Sequence, residues 1–345
     1  MASLTVLGVL LALAVLRYVH RFWRPKRASK ISPKEERVVI LGASTLDGLG
    51  AAYLQQCLLR GTEHLLIVGR RREGLEQVRD AMLAKTAGKR SENAQVDIVQ
   101  AELTQSADIA ALRDHILQQW GRLDTLYVVF GVTSILPVLG VADVDPCGVN
   151  ASGGDTKSVH PTRSGLERIA ATVQQSSDGN LKGTAMVLGA LVPVMQTTSS
   201  NPAVVAIGSV AGLIPAPTRA VYCATKSAQH FLVRSMDLEC ESQAGTCIPG
   251  TQKRRARVHF LLVAPGPLRN SFVATYAVDA NTGPRDNRDK ALSVHDVVRA
   301  SVRRLDHAQW GTLVLPSPVY AASLLAQVQA TRGWIGRMAH KLYNY

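Results

Sequence analysis

Tyr222 and Lys226 stand four residues apart in Val-Tyr-Cys-Ala-Thr-Lys-Ser-Ala, with Ser209 thirteen positions before the tyrosine and Asn180 earlier still. On a helix, positions i and i+4 share a face, so a phenol and an ammonium can point into one cleft. A free phenol titrates near pH ~10 and exchanges protons poorly near neutrality unless a neighbouring cation favours the phenolate. The pair therefore reads as an acid–base group with its activator, and Ser209 as a hydroxyl able to hold an oxygen on which charge develops. Each residue has a purely structural alternative: Ser209 as a strand-end cap, Asn180 as a helix-distorting hydrogen bonder, Tyr222 as a core aromatic, Lys226 as a solvated charge. Their joint order and spacing favour chemistry. His230, two turns beyond Tyr222, reads as a helix-packing residue.

The elements that must position these groups alternate. Arg37 to Leu41, His64 to Val68, Val96 to Val99, Thr125 to Phe130, Ala203 to Ile207 and Val258 to Val263 are apolar runs of strand length. Helical spacing marks Ala51 to Arg60, Arg72 to Lys85, Ala107 to Trp120, Gly183 to Met195 and Tyr222 to Leu238, and resumes from Leu166 after an irregular insertion, Asp143 to Gly165. A second insertion, Glu241 to Arg257, carries a basic loop. Strands that are apolar throughout imply a parallel sheet covered on both faces, an α/β Rossmann-like doubly wound fold in a single domain.

After the first strand comes Gly42-Ala-Ser-Thr-Leu-Asp-Gly48-Leu-Gly50. A strand, a glycine-rich turn and a helix bring backbone N–H groups and a helix N-terminus to where a pyrophosphate can sit. The second strand ends in Gly69-Arg70-Arg71-Arg72, where an adenosine ribose would lie, with no carboxylate to accept from a free ribose diol. A guanidinium there makes a forked contact with a 2′-phosphate, which predicts NADP rather than NAD, carried by Arg70 and Arg71. Glu102, after the third strand, is a candidate for the adenine end.

With these residues in place the chain resembles the short-chain dehydrogenase/reductase family over roughly residues 37 to 271. Gly42 to Gly50 is similar to its glycine turn, Asn180-Leu-Lys-Gly to its helix asparagine motif, Ile207-Gly-Ser209-Val-Ala-Gly to its serine motif, Tyr222-x-x-x-Lys226 to its tyrosine–lysine pair, and Val263-Ala-Pro265-Gly266 to the loop that closes over the nicotinamide. The resemblance implies a catalytic set of Asn180, Ser209, Tyr222 and Lys226. It implies NADP(H) binding by Gly42, Ser44, Thr45, Gly48, Leu49, Gly50, Arg70, Arg71, Glu102, Gly131, Tyr222, Lys226, Pro265, Gly266 and Leu268. Lys226 would also bind the nicotinamide ribose, and Asn180 a water linking the lysine to solvent. Four features differ from the family pattern: five residues instead of three separate Gly42 from Gly48, Val128-Val-Phe-Gly131 stands in place of Asn-Asn-Ala-Gly, Asn270 stands where a threonine often follows the Pro-Gly loop, and Glu102 replaces the usual aspartate.

The chain has 345 residues and a formal charge of +13, unevenly placed. Seven basic and no acidic residues lie between Arg17 and Lys34, directly after the uncharged, mostly apolar run Ala2 to Leu16. Extended through Phe22, that run predicts a transmembrane helix of about 30 Å with a basic, cytosol-facing flank. A cleaved signal peptide is the competing reading; it lacks a basic n-region. The clustering favours anionic lipid over nucleic acid, which is not expected as a partner. The predicted organisation is residues 1–27 anchor and flank, 28–36 linker, 37–318 catalytic domain and 319–345 a C-terminal helical segment. The last reads equally as a membrane-surface segment or as one completing the core or a homodimer contact. Five cysteines without metal-ligand or C-x-x-C spacing argue against a zinc site or a disulfide framework; no metal is expected, and Cys57 and Cys223 read as small apolar residues.

The resulting expectation is a membrane-anchored, NADP-dependent oxidoreductase at the endoplasmic reticulum or a similar membrane, interconverting a hydrophobic ketone and secondary alcohol of a lipid-like substrate. The alternative is an NADP-binding membrane scaffold or regulatory protein whose redox activity has lapsed.

Overall fold

Along β1 (Arg37–Leu41) alternate residues serve opposite layers: Val38 and Ile40 enter one buried cluster, Val39 and Leu41 the other. Successive strand side chains point to opposite faces, so a strand that is apolar throughout requires cover on both. The computed structural model describes residues 26–148, 150–153, 158–279 and 291–325. It supplies that cover around a seven-stranded sheet of order β3-β2-β1-β4-β5-β6-β7, parallel at every pairing. The other strands are β2 (His64–Gly69), β3 (Gln95–Gln100), β4 (Thr125–Val128), β5 (Ala203–Ile207), β6 (His259–Pro265) and β7 (Gly311–Leu315).

Helices α1 (Leu49–Leu59), α2 (Arg72–Lys85) and α9 (Val294–Asp306) bury Tyr53, Leu75, Val78 and Val298 on one face. The opposite face is packed by α3 (Ser106–Trp120), α6 (Gly183–Thr198) and α7 (Ala220–Gln243) through Ile109, Leu112, Leu188 and Val233. Shorter or more peripheral helices are α4 (Val138–Val141), α5 (Arg163–Ser177), α8 (Phe272–Tyr276) and α10 (Pro318–Leu325). Strand order turns back at β1, which pairs with β2 on one side and β4 on the other. A crevice opens outside the carboxyl ends of these strands.

The strand runs read from sequence coincide with β1 to β6 to within two residues at each end. β7 and α9 have no counterpart in the sequence reading, and α5 begins at Arg163, inside the segment read as irregular. Thr162 supplies that start, its hydroxyl accepting from Gly165 N–H at 3.2 Å in an N-cap.

Residues 28–36, read as a linker, are tied to the domain at their two buried positions, Ile31 and Glu36, and through the buried Arg27 just before them. Arg27 lies at the amino edge of the sheet, donating to Glu36, to Asp124 O at 3.2 Å, to Thr125 Oγ1 at 2.8 Å and to Asn201 O at 3.2 Å. Arg60 reaches the same carboxylate at 3.1 Å and Asp306 at 2.5 Å. The expected anchor, residues 1–25, and most of the expected C-terminal segment lie outside the described residues. Among the described residues no helix is long and apolar enough to cross a membrane. All five cysteines are free; Cys57 and Cys223 are buried, and burial pushes the Cys57 thiol up to about 12, as fits packing rather than catalysis.

Candidate active site

The glycine turn stays tight despite its two extra residues. Gly42 has φ +94°, a left-handed conformation that favours glycine, and a Cβ there would meet Phe130 N at 2.6 Å. A Cβ on Gly50 would lie 2.5 Å from Gly42 O, so α1 packs directly on the strand exit. Gly48 caps α1 with no side chain, and the first turn of the helix carries no acidic residue, a cradle that fits a pyrophosphate. The extra length bulges outward: Leu46 is 52% exposed, and the Asp47 carboxylate accepts from Ser271 N–H at 2.6 Å and Ser271 Oγ at 2.8 Å.

Ser271 leads into α8, which reaches back over the crevice. The Tyr276 hydroxyl pairs with Thr45 Oγ1 at 2.8 Å, and Arg71 donates to Ser44 O, Thr45 Oγ1 and Tyr276 Oη at 3.1, 3.2 and 3.2 Å. Arg70 pairs with Glu102 at 3.6 Å, both partly exposed. Thus two predicted cofactor residues contact each other, and Arg71 sits on the rim of the glycine turn. Pro265 ends β6, Gly266 N–H donates to Leu315 O at 2.7 Å, and Leu268 pairs with Leu292, which ties that loop to the sheet.

The tyrosine, lysine, asparagine and serine come together beside this turn. Tyr222 and Lys226 lie on the first turns of α7, with Lys226 Nζ 5.9 Å from the Tyr222 ring centroid. Lys226 is buried, and burial lowers it to about 7. Asn180 lies in a single π turn, Asp178–Lys182, between α5 and α6. Its amide clamps the loop after β4, accepting from Val132 N–H at 2.9 Å and donating to Val132 O at 3.0 Å and Thr225 Oγ1 at 3.1 Å. Gly131 must be bare for this, because a Cβ would lie 2.7 Å from Asn180 Oδ1 and 3.5 Å from Lys226 Nζ. Its retention where the rest of the Asn-Asn-Ala-Gly pattern has gone has this steric reason.

Ser209 follows β5, its Oγ accepting from Ala211 N–H at 3.1 Å. Its own N–H donates to His230 Nε2 at 3.1 Å, which makes Nε2 the acceptor and leaves the ring proton on Nδ1. A Cβ on Gly208 or Gly212 would collide with that imidazole at 2.1 or 2.6 Å. The two glycines flanking Ser209 thus make room for the histidine that holds the serine's backbone. Burial, reinforced by the charges of Lys226 and Arg234, lowers His230 to about 3, so it is neutral near pH 7.

The four residues read from the sequence as a catalytic set lie on neighbouring elements, while the sequence reading misses the groups around them: Gln229 and Thr184 behind Lys226, Val132 behind Asn180, and Asp47, Ser271 and Tyr276 across the glycine turn. His230 does pack, as its place in the sequence suggests, while the glycines at 208 and 212 are the sign in the sequence that a large side chain enters beside Ser209.

The short chain dehydrogenase family model matches residues 36–252. An uncharacterized oxidoreductase of Staphylococcus epidermidis is 26% identical over 206 residues, 60% of this chain and 72% of that protein. Similar solved structures include a short chain dehydrogenase/reductase from Burkholderia phymatum in complex with NAD, with TM-score 0.64 and 17% identity over 86% of this chain and 95% of that one. An alcohol dehydrogenase from the archaeon Thermococcus sibiricus, complexed with 5-hydroxy-NADP, has TM-score 0.58 and 16% identity over 81% and 95%. A metagenomic short-chain oxidoreductase in complex with NADP has TM-score 0.55 and 20% identity over 82% and 96%. The chain belongs to the short-chain dehydrogenase/reductase family of oxidoreductases.

Proposed function

We propose that this protein is an NADP-dependent oxidoreductase that interconverts a hydrophobic ketone and the corresponding secondary alcohol. The observation that carries the reading is the buried Lys226 ammonium 5.9 Å from the Tyr222 ring, on a helix that opens at the carboxyl edge of the sheet. NADP(H), when bound, supplies the hydride. Tyr222 gives the proton to the carbonyl oxygen in reduction and takes it from the alcohol in oxidation, with the positive charge of Lys226 favouring the phenolate. Ser209, held through His230, hydrogen-bonds the same oxygen. The glycine turn and the N-terminus of α1 receive the pyrophosphate, and Arg70 and Arg71 the 2′-phosphate.

A lipid-like substrate and a membrane location, at the endoplasmic reticulum or a similar membrane, are supported by the apolar run and basic flank at residues 1–27. The chain enters the described domain at Arg27, at the amino edge of the sheet, while the crevice opens at the carboxyl edge. A lipid must therefore be drawn to the end of the domain away from that entry. A homodimer is supported by α5 and α7, whose Leu166, Val173, Phe231 and Leu238 are exposed apolar side chains, Val173 also lining a mostly apolar depression of about 370 Å³ between the two helices.

The test uses the full chain in detergent with a panel of long-chain keto lipids and steroids. Consumption of NADPH is expected, and Tyr222→Phe should lower turnover by about a thousandfold with little change in NADPH affinity. Unchanged turnover in that variant would overturn the assignment of the acid. Binding of NADPH with no turnover of any ketone would instead favour the lapsed scaffold, to which the Asp47 carboxylate within the glycine turn gives some support.

A further inference from the structure

The Lys226 ammonium donates to two neutral acceptors, Gln229 Oε1 at 2.8 Å and Ile207 O at 3.2 Å. Gln229 is itself fully buried. Its Nε2 donates to Thr184 Oγ1 at 3.0 Å, and Thr184 donates to the Asn180 carbonyl at 2.8 Å. One unbroken hydrogen-bond path thus runs from the lysine to the asparagine through two side chains. Local spacing delivers both: Gln229 is three residues beyond Lys226 on α7 and shares its face, while Thr184 bonds back to the carbonyl four residues earlier.

The path has a direction. With its hydrogen committed to Asn180 O, the Thr184 oxygen can only accept, so the Gln229 amide group turns its nitrogen to Thr184 and its oxygen to Lys226. The carboxamide nitrogen carries hydrogens and no available lone pair, so the path orients the ammonium without passing a proton along.

We propose that Gln229 is a positioning residue: its carboxamide, locked by Thr184, holds the Lys226 ammonium at the crevice and supplies by a dipole what an acidic partner would supply by charge. The proposal rests on the dehydrogenase reading for its purpose, but the contact it names exists in the protein without cofactor. The titratable groups near Lys226 are Tyr222 and His230 on its own helix; the groups it meets from β5 and, through the amide, from α6 are neutral. Burial lowers Lys226 with no carboxylate opposing it, so the acceptor at position 229 should govern where the lysine titrates.

The experiment follows the Lys226 ε-carbon by NMR in isotope-labelled, cofactor-free full-length protein, the resonance being identified by its loss in Lys226→Met. Gln229→Leu should move the titration lower by about one pH unit, and Gln229→Glu should move it higher by at least about as much. NADPH affinity, read by fluorescence, should fall about tenfold in Gln229→Leu and much less in Gln229→Glu. General loosening of the fold cannot shift one titration both ways, so opposite shifts support the proposal even if one variant is less stable. An unchanged Lys226 titration in both variants overturns it. Failure of the wild-type protein to turn over any ketone would count against the proposed function and leave the titration result to be read by itself.

Discussion

At the amino edge of the sheet the buried Arg27 and Glu36 form a paired network with the part-buried Arg60 and Asp306, whereas at the carboxyl edge Lys226 is buried and donates to two neutral acceptors. Burial pushes Glu36 up, but Arg27, Arg60 and the Thr125 hydroxyl outweigh it and hold the carboxyl down at about 2. Burial of Lys226 meets no such opposition, and the ammonium falls to about 7. One network fixes its charges across the neutral range; the other leaves a charge poised within it. Under the proposed function Lys226 would respond to a neighbouring phenol and to a bound nucleotide, and the second edge is where such a group belongs.

Breaking the paired edge should have the largest effect. Glu36→Leu leaves the buried Arg27 and the part-buried Arg60 without their shared carboxylate and should cost about 3–5 kcal/mol in chemical denaturation. Because the folded pKa of Glu36 lies below its ordinary 4.5, its contribution is fully present above pH 4.5 and lost as pH falls toward 2. The wild-type protein should lose stability across that window more steeply than the variant. Curves that run parallel would mean that the carboxylate is not ionised against the arginines.

At the other edge stability again rises with pH, in a higher window and because burial disfavours the charged form. The folded pKa of Lys226, about 7, lies below its ordinary 10.5, so the unfolded chain binds more protons between those values. Stability should therefore rise with pH from 7 to 9 by about 1.4 kcal/mol per pH unit from this group. Above pH 9 the buried Cys57 thiol, held at about 12, works in the opposite direction, since the unfolded thiol ionises first. Lys226→Met should abolish turnover and remove the rise between pH 7 and 9. Persistence of the same slope in the variant would assign it to another group.

Sequence makes the two edges unequally legible. Strands β1, β2, β4, β5 and β6 can be read because burial on both faces forces uninterrupted runs such as Val38-Val-Ile-Leu41, and the tyrosine–lysine pair because one helix sets its spacing. β7, Gly311-Thr-Leu-Val-Leu315, is buried only at Leu313 and Val314, as suits a strand at the edge of a sheet, and offers no long apolar run. The amino-edge network is unreadable for another reason. Arg27, Glu36, Arg60, Asp124 and Asp306 are far apart in the chain, and charged residues in a basic flank look solvated until the fold closes over them. Gln229 lies just beyond the tyrosine–lysine motif, but a glutamine there has no meaning before its two partners are known.

The smallest of the three expected effects isolates the serine. His230→Leu removes the acceptor of the Ser209 N–H in a buried loop, which should cost about 1–3 kcal/mol, with a fall in turnover as Ser209 loses its fixed place. His230→Gln, which keeps a side-chain acceptor, should recover part of both. The comparison of Gln with Leu separates the acceptor from simple packing, and the pH signature tests whether the imidazole is buried neutral. Wild-type His230 is held neutral, its folded pKa of about 3 lying below its ordinary 6.5, so its contribution is complete above pH 6.5 and is lost as pH falls toward 3. Glu36 adds nothing above pH 4.5, so the interval from 6.5 to 4.5 belongs mainly to histidine. His64 is shifted in the same direction by burial, which makes the difference between wild type and His230→Leu the informative quantity rather than either slope. That difference should shrink as pH falls through the interval. If it stays constant, the imidazole is not held neutral beside Ser209.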